Sequence, residues 1–224
     1  QDLRRARGLK PPQPLRGHIA SPEIVIDQQR RQLVMFFHGQ RDSLSQVSGM
    51  AVSEDGINFK VLDNRIAGVY LRSFDYQDNH YLLGAPGILY RSDRLLGDYR
   101  PRSQSLFGTD IRHSAVFRDG DRLTVVFSRA GDAPERLLLS TVDLSKADWN
   151  DWQPTQALEI LRAENRWEGA DLAPLKSLRG ETSVRINDVR DPDLFVDEKG
   201  QQYLFYVGGG EQGIGVVRLN KHES

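Results

Sequence analysis

Asp191–Leu219, DPDLFVDEKGQQYLFYVGGGEQGIGVVRL, is the stretch on which the reading of the whole chain turns. Apolar and polar residues alternate over Pro192–Val196, a turn follows at Glu198–Gly200, and a second alternating run covers Gln202–Val207. After a glycine-rich connection a third run spans Gly213–Leu219. Period-two patterning rich in valine, tyrosine and phenylalanine selects strands over helix, because successive side chains of a strand point to opposite faces.

Working outward, the same grammar recurs. Ser21–Gly39 (SPEIVIDQQRRQLVMFFHG) reads as two strands, followed by a third at Ser48–Val52 and the turn Glu54–Asp55–Gly56. Leu71–Gly84 (LRSFDYQDNHYLLG) continues into GILYRSD from Gly87, and His113–Arg129 (HSAVFRDGDRLTVVFSR) continues into RLLLSTVDL from Arg136. The first three units are spaced by roughly 45 residues, the period of a propeller blade. The last interval is longer; its extra length holds Ala147–Trp152, Trp167–Asp171 and a polar segment around Lys176–Arg185, and reads as an inserted loop. Leu144–Asp151 is the helical candidate, as a single turn between strands. Each of the first three units leads with a strand, passes tight turns and ends near Phe59, Tyr99 or Trp152, which describes a meandering sheet. The fold expected is therefore all-β, a β-propeller over residues 16–224 with inner strands starting near 21, 71, 113 and 191.

Composition narrows the function classes. With 38% hydrophobic and 27% charged residues over 224 positions, the chain reads as one soluble, globular unit. A formal net charge of −1 provides no field for nucleic acid or an anionic lipid surface. No apolar run reaches the roughly 18 residues of a membrane span. Cysteine is absent, which removes disulfides, cysteine-bound zinc and a thiol nucleophile together and leaves the compartment open. A start at Gln1 reads as a processed or incomplete chain. Oligomeric state is not encoded in any of these features.

The passages RGHIASPEIVIDQQRRQLVMFFHG, VSEDGINF, RHSAVFRDGDRL, GDAPERLLLS, RWEGADL and VRDPDLFVDEKGQQYLFYVGGGEQGIGVV, spread from Arg16 to Leu219, resemble the five-bladed propellers related to glycoside hydrolase family 43. More narrowly they resemble an uncharacterised bacterial branch of that group. The resemblance implies a fifth blade ahead of the four visible ones, with residues 1–15 as its tail or a linker. It also implies a glycosidase acting on an oligosaccharide or polysaccharide in the central channel. The family's general base is an Asp on the first blade, and no residue here takes that place. Fold alone does not settle function. A carbohydrate-binding propeller without catalysis, and a phosphate-dependent phosphorylase, stand beside the hydrolase.

Aligning the units on their first turns puts Ser21, Arg72, His113 and Asp191 at equivalent places, preceded by Ala20, Leu71, Arg112 and Arg190. Charges here, where small or apolar filling is the rule, have two readings: a ligand site at the channel mouth, or an Arg–Asp network tying blades together. As a ligand site, Arg72, Arg112, His113 and Arg190 form a substrate clamp, and the three arginines at the mouth could hold phosphate. In Arg190-Asp191-Pro192 the proline restricts Asp191 to extended backbone and fixes its carboxylate at the strand entrance as a catalytic candidate.

Glu168, in Trp167-Glu168-Gly169, resembles the family segment that supplies the general acid, which needs a raised pKa. The alternative is a loop Glu beside a packing Trp. Hydrolysis needs two carboxyl groups, and Asp191 with Glu168 is the expected pair. Trp167 is a candidate sugar platform. Glu135 is a second acid candidate or one half of a surface Glu–Arg pair, and Glu23, after Pro22, reaches toward the channel. His18 and His113 are candidate substrate or cation contacts, or histidines bonded to a neighbouring blade's backbone. No cofactor is required, and oxygen ligands could hold a central calcium ion. Gly208-Gly209-Gly210 lacks the context of a phosphate loop and reads as a flexible connection.

Overall fold

A computed structural model describes residues 16–40, 45–180, 182 and 184–219; of residues 16–18 only the strand is described, so the side chain of His18 and the expected linker 1–15 lie outside the described residues. The protein is all-β, four blades in a propeller arrangement. Blade I runs β1 (Arg16–Asp27), β2 (Gln32–Gln40), β3 (Gln46–Ser53) and β4 (Lys60–Ile66). Blade II runs β5 (Val69–Tyr76), β6 (Asn79–Ala85), β7 (Ile88–Ser92) and β8 (Arg100–Pro101). Blade III runs β9 (Ile111–Asp119), β10 (Arg122–Arg129), β11 (Leu137–Asp143) and β12 (Leu158–Leu161). Blade IV has β13 (Val189–Val196), β14 (Gln202–Gly208) and β15 (Gly213–Leu219). Every described sheet is an antiparallel meander in chain order, and two short 3-10 turns at Trp149–Asp151 and Arg166–Glu168 interrupt the last long interval.

Aspartates close several hairpins by standing in for a backbone acceptor. Asp27 accepts the Arg30 amide at 3.0 Å and the Gln32 side chain at 3.2 Å. Asp55 accepts the amides of Ile57 and Asn58, and Asp197 those of Lys199 and Gln201. The apolar faces so formed stack blade on blade. Phe36, Met50, Leu82 and Tyr90 fill the space between blades I and II. Leu83, Leu89, Leu123, Phe127 and Trp152 fill that between II and III, and Val126, Leu137, Leu204 and Tyr206 that between III and IV. Neighbouring inner strands therefore touch in the order β1, β5, β9, β13.

The inner strands share one irregularity. In each, three steps along the inner strand match two on its partner: Ala20 to Glu23 against His38 to Phe36, Val69 to Arg72 against Ala85 to Leu83, Ile111 to Ser114 against Arg129 to Phe127, and Arg190 to Asp193 against Val207 to Phe205. This is one β-bulge, written four times. It corrects the alignment drawn from the sequence. Ser21, Tyr70 and Asp191 are the equivalent residues, all at positive φ (51°, 53° and 47°), with Arg112 and His113 bulged in blade III. Arg72 belongs one step past the bulge, level with Glu23, Ser114 and Asp193. Asp191 is also not extended, as its following proline led us to expect: the bulge holds it left-handed.

Two blade faces have no blade against them among the described residues. Phe195, Phe205, Ile214 and Val216 are exposed on the face of blade IV opposite its packed side. Ile24, Ile26 and Val61 are exposed on the corresponding face of blade I.

Trp152 is 2% exposed, wedged against Tyr76 and Tyr81 with its indole N–H bonded to the Lys146 carbonyl. Trp152→Ala is expected to lower stability by about 3–5 kcal/mol, read as a shifted urea midpoint.

Candidate functional site

At the bulges, side chains from all four blades come together, three from the bulges themselves and one from β2 of blade I. His38, opposite Ala20 in blade I, lies 4.5 Å from the ring of Tyr70 in blade II, centroid to centroid. Tyr70 lies 4.6 Å from the ring of His113 in blade III, edge to face. His113 Nδ1 is 2.6 Å from Asp191 Oδ1 in blade IV. The order His38–Tyr70–His113–Asp191 thus crosses the four blades as a continuous polar and aromatic arc. His113 is buried, while the Asp191 side chain keeps 35% of its surface open. Burial alone would raise the Asp191 carboxyl, but His113, Arg190 and Arg112 outweigh it and hold the pKa below the usual range. Tyr70 shifts the other way, upward, through burial and the nearby Asp191 charge. Tyr70 and His38 were not marked from the sequence. A histidine at a strand end and a tyrosine before Leu71 carry no signal until the bulge is known.

Behind this arc sits a buried ionic cluster. Glu135 is 1% exposed and accepts hydrogen bonds from Arg112 Nη1 (2.8 Å), Ser177 Oγ (2.6 Å) and Ser128 Oγ (2.7 Å). Arg190 contacts Glu135 at 3.4 Å, the Asp188 carboxylate, and Glu211 at 3.1 Å. Glu135 and Asp188 also form a backbone bridge, so the cluster joins blade III to blade IV. Burial raises the Asp188 pKa despite the Gly210 amide and Arg190. These contacts revise several expectations. Arg112 and Arg190, expected in a substrate clamp, are both buried with guanidinium nitrogens on protein oxygens, Arg112 on the Gly180 carbonyl as well. Glu135 is neither an open acid nor a surface residue. Arg72 contacts Glu23 at 3.6 Å and the Leu71 carbonyl at 3.1 Å, tying blade I to blade II. Burial raises the Glu23 pKa, against the lowering effects of Arg72 and the Ser73 amide, which donates to Glu23 at 2.8 Å.

Glu168, expected as the general acid, is buried with both carboxylate oxygens hydrogen-bonded. It is 1% exposed; Oε1 accepts Tyr206 Oη at 2.6 Å, and Oε2 accepts the amides of Glu164 and Asn165, both at 2.7 Å. Burial would raise its pKa, yet these bonds, Tyr206 first, hold it below the usual range. It caps the short turn Arg166–Glu168 and locks that turn to blade IV. Trp167 is 40% exposed, stacked on Tyr206 with ring centroids 5.9 Å apart, and lies over Gly208 and Gly213 rather than in the axial arc.

The glycine-rich connection is also tightly built. Gly210 donates to Asp188 Oδ1 at 2.7 Å, and a Cβ on Gly209 or Gly210 would stand 2.2 or 2.1 Å from the carbonyls of Trp167 or Val184. It delivers Glu211, 36% exposed at its side chain, to Arg190. Sequence reasoning missed Glu211 because three glycines look like slack until their neighbours are seen. Among the described residues no three His, Asp or Glu side chains converge as a metal site. No helix among them is long and apolar enough to cross a membrane.

No family model matches the sequence. An uncharacterised protein of Acanthamoeba polyphaga mimivirus is 34% identical over 224 aligned residues, covering 92% of this chain and 62% of that protein. The chain thus spans about three-fifths of the curated relative it matches, and the relative is viral, which lends no support to the bacterial branch. Among solved structures, a thermostable family-43 glycoside hydrolase superposes with a TM-score of 0.59 at 14% identity, over 92% of this chain and 72% of that one. The α-L-arabinanase of Cellvibrio cellulosa gives 0.60 at 13% identity, over 93% and 76%. A GH43_1 enzyme of Xanthomonas citri in complex with xylose gives 0.60 at 14% identity, over 93% and 71%. At these identities the likeness concerns the fold: this chain has the propeller architecture of family-43 glycoside hydrolases.

A carboxyl with a lowered folded pKa adds stability above its unfolded value, and that stability is lost as pH falls through the folded one. Glu168 therefore stabilises the fold at neutral pH and stops doing so in acid, from an unfolded pKa of about 4.3 downward. Tyr206→Phe should cost about 1–3 kcal/mol at pH 7. In Glu168→Gln the urea midpoint should be lower at pH 7 and fall less steeply between pH 5 and 3 than in the wild type.

Proposed function

We propose that this chain is the greater part of a five-bladed propeller that binds a carbohydrate at the mouth of its axis and hydrolyses glycosidic bonds there. The observation that carries the reading is Asp191. It is the bulge residue of its inner strand, part-exposed at the axis, and its carboxylate is held ionised by His113 with Arg190 and Arg112 behind it. An ionised, oriented carboxylate suits a base, a nucleophile or a stabiliser of positive charge on the sugar ring, and not a proton donor. Glu168, already ionised and fully bonded, is not its partner in this proposal. The second carboxyl, which would protonate the leaving oxygen while the Asp191 carboxylate activates water or attacks the sugar carbon, would come from the fifth blade. The apolar faces of blades I and IV support such a blade, since each would be covered by a neighbouring sheet. The phosphorolytic reading loses its support, because Arg112 and Arg190 are committed to protein oxygens.

The test uses the protein together with any segment that precedes Gln1, assayed on a panel of aryl glycosides and oligosaccharides. Asp191→Asn should lower turnover by about 10²–10⁴-fold with unchanged folding. Sugar binding without turnover of any substrate would favour the non-catalytic carbohydrate-binding propeller. No binding and no turnover would remove both.

A further inference from the structure

Tyr70 is the bulge residue that packing explains least. Its φ of 53° lies in the left-handed region, which a bulky residue rarely occupies. Glycine or asparagine would meet the backbone there with less strain, and the side chain is only half-buried. The backbone therefore does not select tyrosine, and the reason for it lies in what the ring touches.

The ring meets two imidazoles from two other blades. His38 lies 4.5 Å away with planes inclined by 57°, and His113 lies 4.6 Å away with planes inclined by 67°. Both histidines are buried, at 1% and 5% exposure. The chain is pinned just ahead of Tyr70: Ser48 Oγ, on the residue paired with His38, donates to the Gly68 carbonyl at 2.7 Å. Tyr70 is thus held from blade I and presents its ring to blade III.

His113 Nδ1 stands 2.6 Å from Asp191 Oδ1, a separation that needs a proton on the nitrogen. An N–H bond lies in the plane of its ring, so whatever sets that plane aims the hydrogen bond. The χ2 torsion of a histidine is broad and does not set it alone. An edge-to-face contact, the favoured arrangement of two aromatic rings, does. We propose that Tyr70 is a positioning residue for Asp191, acting through His113: its ring fixes the plane of the imidazole and so aims Nδ1–H at the carboxylate. The proposal rests on the reading of Asp191 as the reacting carboxylate and adds what orients it.

The groups around that carboxylate fix the sign of the effect. Burial raises the Asp191 pKa, while His113, then Arg190 and Arg112, lower it. Tyr70, raised by burial first, faces Asp191, Arg112, Glu211 and Arg179 as a neutral phenol, so it offers Asp191 no charge of its own. Deleting the ring has two opposed consequences. Loss of the His113 bond raises the Asp191 pKa, whereas entry of water weakens the effect of burial and lowers it.

The test uses the protein with any segment that precedes Gln1, its aspartates labelled with carbon-13 at the carboxyl. Asp191 is assigned by its loss in Asp191→Asn and followed by acid titration. Tyr70→Gly and Tyr70→Asn, both at ease in left-handed backbone, should move its midpoint up toward the ordinary aspartate value of about 3.9. Tyr70→Phe, which keeps the ring, should titrate as the wild type does. In a His113→Leu background Tyr70→Gly should bring no further rise. On a hydrolysed substrate, Tyr70→Gly should lower kcat about 10–10²-fold and move the acid limb of kcat/KM to higher pH. A midpoint unmoved or lowered in both Tyr70→Gly and Tyr70→Asn, an equal rise in Tyr70→Phe, or an equal rise without His113 overturns the proposal. The titration needs no substrate, so a wild type that hydrolyses nothing counts against the hydrolase reading, and the titration still decides on Tyr70.

Discussion

One extra residue at the start of every inner strand is the constraint on which the axial site depends. Without it, a strand's side chains alternate strictly between the two blade faces, where the cores of neighbouring blades claim them. The bulge breaks that alternation at the same step in all four blades. In three it does so through a non-glycine residue at positive φ, a conformation that costs of order 1 kcal/mol and persists only where the surroundings enforce it. The residues freed from face packing are Ser21, Tyr70, Arg112 with His113, and Asp191. Tyr70, His113 and Asp191 supply two of the rings and the carboxylate of the axial arc, which His38 completes, and Arg112 anchors the cluster behind it.

That cluster explains how a strained position is held. Charges as deeply buried as Arg112, Glu135, Asp188 and Arg190 are tolerated when each meets opposite charge and hydrogen-bond donors, and removing one member leaves the rest uncompensated. Glu135 stands at the centre, reached from β9, β10, the loop at Ser177 and β13. Glu168 does a parallel service for blade IV, through Tyr206. Of the carboxylates singled out in the sequence, Glu168 and Glu135 are thus struts, and the part-exposed Asp191 is what they support.

The glycines of Gly208-Gly209-Gly210 belong to the same framework. Backbone carbonyls of the inserted segment approach Gly209 and Gly210 so closely that no side chain fits. The inserted segment and the last hairpin therefore interlock. The long interval before blade IV, which breaks the spacing of the repeats, carries the residues that brace the mouth.

The sequence by itself determined the all-β class, the four meanders and most strand limits. Gln202–Val207 and Gly213–Leu219 were read within one residue of β14 and β15, because period-two alternation and aspartate–glycine turns are local signals. It also picked out Asp191 and His113, since charge at an inner-strand start is conspicuous. Only the tertiary structure decided which side chains share a position. A one-residue bulge leaves no mark on composition, yet it shifts Arg72 away from the mouth and brings Tyr70 in. Only the tertiary structure decided, too, that Glu168 and Glu135 are struts, because burial and the direction of donors are set by segments far apart in the chain, as Glu135 and Ser177 are at a separation of 42 residues. Periodicity is written in neighbours along the chain; the state of a carboxyl group is written by neighbours in space.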